Sequence, residues 1–167
     1  MRLSSVIIGL GLLGLIPFIG SVYWNTDPQS IFGLTPVKVF STYSSVILTF
    51  LAGSLWANVI ASRKTEFLAL SSVNKTPSLV GQHEKIVIAF AIFSNLFAIV
   101  CWILLMLPDE LYVISLVAQL FAFIIIFCFE LGWILIIHKV YLDGYLILRC
   151  FLTVIVCSAH IAMILLN

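Results

Sequence analysis

The chain has 167 residues, of which 63% are hydrophobic and 9% charged, with a net charge of +1 and a mean hydropathy of +1.24. Soluble domains carry about a quarter charged residues, so polar surface is too scarce here for a soluble fold, and the same numbers exclude disorder. A charge this close to zero gives no overall pull towards nucleic acid.

A membrane-spanning helix needs roughly 20 mostly apolar residues. Five runs qualify, at about residues 3–23, 39–61, 86–107, 111–137 and 150–166. The expectation is an all-α integral membrane bundle of five transmembrane helices forming one domain over residues 1–167. No repeat or low-complexity tract interrupts it.

The first run carries Gly9-Leu10-Gly11-Leu12-Leu13-Gly14, a literal GxGxxG after Val6-Ile7-Ile8. A dinucleotide site needs a strand before that motif and an amphipathic helix after it. Here the continuation is wholly apolar and contains Pro17, so the glycines read as close-packing positions in a spanning helix. Gly20-Ser21 mimics a signal-peptide cleavage site, and cleavage there would leave four spans. But the run exceeds the apolar core of a signal peptide and Arg2 is a weak basic flank, so the helix reads as retained. Asp27-Pro28 and Thr35-Pro36 mark a turn before the second run.

The second run is the most polar. Ser45, Thr49, Gly53, Ala57 and Ala61 recur every fourth residue and predict a ridge of small side chains that permits close helix approach. It reads either as packing within the chain or as a docking face for another membrane protein or a second copy. Ser41, Thr42, Ser44, Ser54 and Asn58 place this helix at the centre of the bundle. The 62–85 segment then reads as a loop, opening on Arg63-Lys64-Thr65-Glu66 and interrupted by Pro77 and Gly81. Asn74-Lys75-Thr76 within it matches a glycosylation acceptor, on a side where glycosylation is not expected.

Pro108-Asp109-Glu110 predicts a tight turn between the third and fourth runs. Glu130, in the fourth, is costly at bilayer depth, by roughly 2.5–3.5 kcal/mol on insertion scales. Gln119 lies nearly three turns earlier on the same face, and Ser115 one turn before that. In the fifth run His160 is the second costly residue, with Cys157 one turn away. If these helices are neighbours, His160 and Glu130 differ in depth by roughly 6 Å, and Asn95 and Asn58 complete a candidate intramembrane polar network. That network reads as a structural staple, as a proton or substrate path, or as a metal site built on Cys157, His160 and Glu130. The last lacks a second pair of ligands. No serine lies in a recognisable nucleophile elbow. Cys101, Cys128, Cys150 and Cys157 form no C-x-x-C pair and read as buried thiols.

Five spans sort the charges. Arg2, Arg63, Lys64, Lys75, Lys85, Lys139 and Arg149 flank one face, and Lys38 flanks the other with Asp27, Asp109 and Glu110. The positive-inside rule makes the first face cytoplasmic, or matrix in a mitochondrion, with the N-terminus there and the C-terminus opposite.

Gly14-Leu15-Ile16-Pro17-Phe18 and the stretch Tyr43 to Ala57 resemble a family of small bacterial membrane proteins, a domain of unknown function that includes the mitochondrial "transmembrane protein sixty-nine" relatives. Ser72-Val73, Pro77-Ser78-Leu79 and Tyr145 to Thr153 fit the same pattern. The chain departs from it at Ala52 and Ala57, where glycine is usual, and at Leu55, often polar. The resemblance implies a multi-span inner-membrane protein and carries no activity. With no catalytic, cofactor or metal motif, the reading is a non-enzymatic accessory or assembly subunit of a larger membrane complex, its surroundings the lipid bilayer. The alternative is a small transporter or proton-linked channel using Glu130 and His160.

Overall fold

A computed structural model describes residues 3–26, 33–70, 77–137 and 143–167; side-chain surroundings are described over 8–26, 33–55, 88–132 apart from 109, and 146–167. The described residues form six α-helices: α1 (Leu3–Leu13), α2 (Ile16–Trp24), α3 (Pro36–Leu70), α4 (Pro77–Met106), α5 (Tyr112–Ile137) and α6 (Asp143–Leu165). Four of them, α3 to α6, are long and apolar enough to cross a membrane. The protein is thus an all-α bundle with the composition of a membrane protein.

The first apolar run is broken, not continuous. Pro17 sits in the first turn of α2, and its ring nitrogen has no hydrogen to return to the Leu13 carbonyl. The chain tightens at the joint, where Leu15 N–H donates to the Leu12 carbonyl three residues back at 3.1 Å. The Tyr43 hydroxyl of α3 donates to the Gly14 carbonyl at 3.0 Å, so the oxygen at the joint is satisfied. Gly11 has a different reason to be glycine. A Cβ there would lie 3.0 Å from Leu152 Cδ1, so its absence lets α1 lie against α6. At Gly9 a Cβ would meet nothing within 4 Å.

Thr35 starts α3: its side-chain oxygen accepts from the Lys38 N–H at 3.3 Å, and Pro36 occupies the first helical position, where a missing N–H costs nothing. The helix runs 35 residues, about 52 Å at 1.5 Å per residue, well beyond a bilayer core of about 30 Å. The expected 62–85 loop is therefore largely helix. Arg63 to Leu70 contains no glycine or proline, and Pro77 opens α4 at a position that suits it. The Asn74-Lys75-Thr76 motif lies outside the described residues. Between α4 and α5 the chain makes a 3₁₀ turn at Asp109–Leu111, closed by Leu111 N–H to the Pro108 carbonyl at 2.9 Å.

α3 is the hub. It packs against α2, α4 and α5 and reaches α6 through Ser44 and His160. Its buried face is Phe40, Ser41, Ser44, Ser45, Leu48, Ala52 and Leu55. The small-residue ridge does not follow that face. Ser45 is buried, Thr49 half-buried and Gly53 exposed, and nothing lies within 4 Å of a Cβ built on Gly53. Four residues advance about 40° past a full turn, so the ridge spirals out of the interface within two steps. The side chains of Ala57, Asn58 and Ala61 lie outside the described residues.

The apolar centre is aromatic. Phe18 of α2 is 1% exposed and meets Phe40, Tyr43 and Phe123 edge-on at 5.3, 5.0 and 6.1 Å between centroids. Such edge-to-face pairs contribute about 0.5–1.5 kcal/mol each beyond area burial.

Candidate functional site

Each costly residue of the apolar helices has its own partner. Glu130 of α5 does not meet His160. Its Oε2 accepts from Nε of Arg149 on α6 at 2.6 Å, with the two side chains 7% and 12% exposed. The expected start of the last helix, near residue 150, explains the missed pairing. α6 begins seven residues earlier, at Asp143. Arg149 then lies six residues from the start of α6 and Glu130 seven from the end of α5, about 9 and 10 Å along their helices. Equal depth on touching helices lets the two charges neutralise each other in place. Counting Arg149 as a loop charge hid the pair.

His160 is sealed elsewhere. It is fully buried, with Phe40, Phe123 and Phe18 at 4.7, 5.3 and 6.0 Å between centroids. Its Nδ1 lies 2.9 Å from the Val156 carbonyl oxygen one turn back. That oxygen only accepts, so Nδ1 carries the proton. Nε2 lies 3.2 Å from Ser44 Oγ, and in the neutral ring it accepts from that hydroxyl. The three rings and two hydrogen bonds hold the imidazole in one orientation and tie α6 to α3.

Gln119 makes the third station. It is fully buried, and its Nε2 hydrogens are shared among the Ser41 carbonyl, Ser41 Oγ and Ser45 Oγ, all at 3.0 Å. Ser41 Oγ lies 3.3 Å from Ser115 Oγ, and the Ser115 hydroxyl donates to the Leu104 carbonyl at 3.3 Å. Gln119 Oε1 is buried with no hydrogen-bond partner. Ser115 and Gln119 do share a face of α5, as their spacing requires. That face meets the serines of α3, where Ser41, Ser44 and Ser45 serve two stations at once.

Asn95 joins none of these. It is exposed on α4 and donates Nδ2–H to the Ala91 carbonyl of its own helix at 2.9 Å. Asn58 lies outside the described side chains. Cys157 is half-buried near His160 in sequence, and among the described residues no three His, Cys, Asp or Glu side chains gather to hold a metal ion.

Above the Ser41–Ser115 pair a cavity of about 350 Å³ opens at one end of the bundle. The ends of α2 and α4, the starts of α3 and α5, and Asn167 enclose it. Sequence reading did not locate it, because its walls come from five separate stretches of chain.

These features define a class: a helical bundle with the spans of a membrane protein, held by buried polar pairs between helices. The chain belongs to the family described as "Protein of unknown function (DUF3429)", whose model matches residues 4–165. No curated protein and no solved structure matches it.

Proposed function

We propose that this is a non-enzymatic, multi-pass inner-membrane protein that serves as an accessory or assembly subunit of a larger membrane complex. The N-terminus lies in the cytoplasm and the C-terminus on the opposite side, with α1 and α2 together making the first of five crossings. Six basic residues on one side, Arg2, Arg63, Lys64, Lys75, Lys85 and Lys139, against Lys38 on the other, support that orientation with Arg149 set aside as the partner of Glu130.

Asn95 carries the reading. It stands seven residues into the Ile88–Met106 span and is exposed there. Its Oδ1 accepts no hydrogen bond among the described residues, and one Nδ2 hydrogen is used within its own helix. An amide open to hydrocarbon is unfavourable, and polar side chains at such positions bond across helices. Only 11% of the α4 span is buried, against 39% of the α3 span, so α4 has a face to spare. Ala91 and Ala98, one turn to either side, allow close approach. The occupant is a transmembrane helix of a different protein, with an N–H or O–H donor at the bilayer midplane.

A photo-crosslinker at Ile99 should capture that helix in the native membrane, and native mass spectrometry in mild detergent should give a stoichiometric complex. One interhelical hydrogen bond contributes about 0.6–2 kcal/mol, so Asn95→Leu should weaken association roughly 3- to 30-fold. A lone monomer, or association indifferent to Asn95→Leu, refutes the reading. Capture of a second copy alone replaces it with a homo-oligomer.

One observation favours the transporter reading: the buried chain Gln119–Ser41–Ser115 ends at the cavity. Against it, Glu130 is engaged by Arg149 and His160 is walled in by three phenylalanines. It requires that Glu130→Gln abolish flux in proteoliposomes while the protein stays folded.

A further inference from the structure

We infer that the cavity at the α3 N-terminus is a binding site for an acyl amphiphile whose head carries oxygen acceptors, such as a carboxylate or a phosphate ester. The site is separate from the α4 face and does not depend on it.

Three observations support this. The first is size and place. At about 350 Å³ the cavity falls within the range of small-molecule sites. Its lining residues all stand close to the ends of membrane-spanning segments, so the mouth lies at the level where lipid heads meet their chains. A whole phospholipid is too large, so the head and first carbons would enter while the chain leaves into the bilayer.

The second is the chemistry of the floor. Gln119 donates to Ser41 Oγ, which leaves the Ser41 proton to point at Ser115 or into the cavity. Ser115 in turn donates to the Leu104 carbonyl. Both of those links are 3.3 Å, beyond the usual range for a hydroxyl donor. Either hydroxyl can therefore turn to a ligand oxygen at little loss. Both serines are buried, so a bond made there is shielded from water and worth more.

The third is polarity across the site. The positive end of the α3 macrodipole and Lys38 stand on one side. Leu104, Leu105 and Leu107 supply apolar lining. An electronegative head on a hydrocarbon chain matches both parts; a cation matches neither, and a wholly polar anion matches only the first.

The test uses the full chain in phosphatidylcholine nanodiscs with a diazirine-bearing palmitic acid as probe. Crosslinks should concentrate on 104–108 and 37–41. Excess unlabelled palmitate should displace them, and millimolar inorganic phosphate or butyrate should not. Leu105→Trp, which fills the cavity, should cut labelling there at least fivefold with unchanged helical circular dichroism. If that variant fails to fold, Ser115→Ala should still lower labelling severalfold. Labelling spread over the exposed face of α4 and indifferent to both variants overturns the site. Displacement by phosphate or butyrate as effective as by palmitate overturns the amphiphile and leaves a soluble oxyanion as the ligand.

Discussion

The Glu130–Arg149 pair offers the sharpest test of the bundle. Replacing Glu130 with Leu leaves a guanidinium that is only 12% exposed facing hydrocarbon. Breaking a buried pair by removing one partner costs about 3–5 kcal/mol. At about 1.4 kcal/mol per decade, that is two to nearly four orders of magnitude in the folding equilibrium. Glu130→Gln keeps one oxygen that can accept from Arg149 Nε, so its effect should fall near the lower bound. Arg149→Met strands the carboxylate instead and should cost about as much as Glu130→Leu. The double variant Glu130→Leu/Arg149→Met removes both charges and refills the volume, so it should be neutral or more stable by about 1–4 kcal/mol.

Reversible unfolding in mixed micelles, titrated with SDS and followed by helical circular dichroism, measures the wild type and all four variants. With each single variant costing at least about 3 kcal/mol and the double variant neutral or better, the coupling energy of the cycle should reach about 6 kcal/mol or more. If each single variant lies within about 0.5 kcal/mol of the wild type, with zero coupling, the pair is not an energetic link between α5 and α6. Loss of flux with full stability in Glu130→Gln would move the residue from staple to pathway.

Two further perturbations address packing. Phe18→Ala empties the hub where four aromatic rings meet, and should cost about 3–5 kcal/mol, read as a shifted unfolding midpoint in the same titration; an unchanged midpoint would show that the cluster collapses without penalty. Gly11→Leu should displace α1 from Leu152, seen as faster proteolysis near the N-terminus, and Leu152→Ala should rescue it. Gly9→Leu and Gly53→Leu, where an added Cβ meets nothing within 4 Å, should leave the fold unchanged; if they disturb it as much as Gly11→Leu, the helix orientations are wrong.

Much of the architecture follows from composition and hydrophobic run length, which act locally. A stretch of 20 apolar residues must satisfy its backbone within itself, and helix is the way to do so. Helices at α3, α4, α5 and α6 and the turn at Pro108 are legible for that reason. So is the shared face of Ser115 and Gln119, since helical spacing alone sets it. Helix ends were less legible. The apolar runs read as stopping near Ala61 and resuming only after the charge of Arg149, yet α3 runs on to Leu70 and α6 starts at Asp143, because helix formation tolerates charge where hydrophobicity scales do not. The break at Gly14–Leu15 had its cause, Pro17, in plain view. Its site depended on Tyr43 being present to take the Gly14 carbonyl.

Sequence by itself determined that the chain is helical and apolar, and that Glu130, His160 and Gln119 need partners. A buried polar group must be paired wherever the chain folds, so the need is a property of the residue. Which partner answers it was decided only by tertiary structure. Depth alone suggested Glu130 with His160, but contact depends on helix rotation and on where each helix begins. Arg149, read as a topology charge, supplies the carboxylate's partner, and Ser44, read as helix polarity, supplies the imidazole's. The outward turn of Asn95 and the cavity over Ser41 and Ser115 have the same origin, since both depend on which faces of separate helices meet.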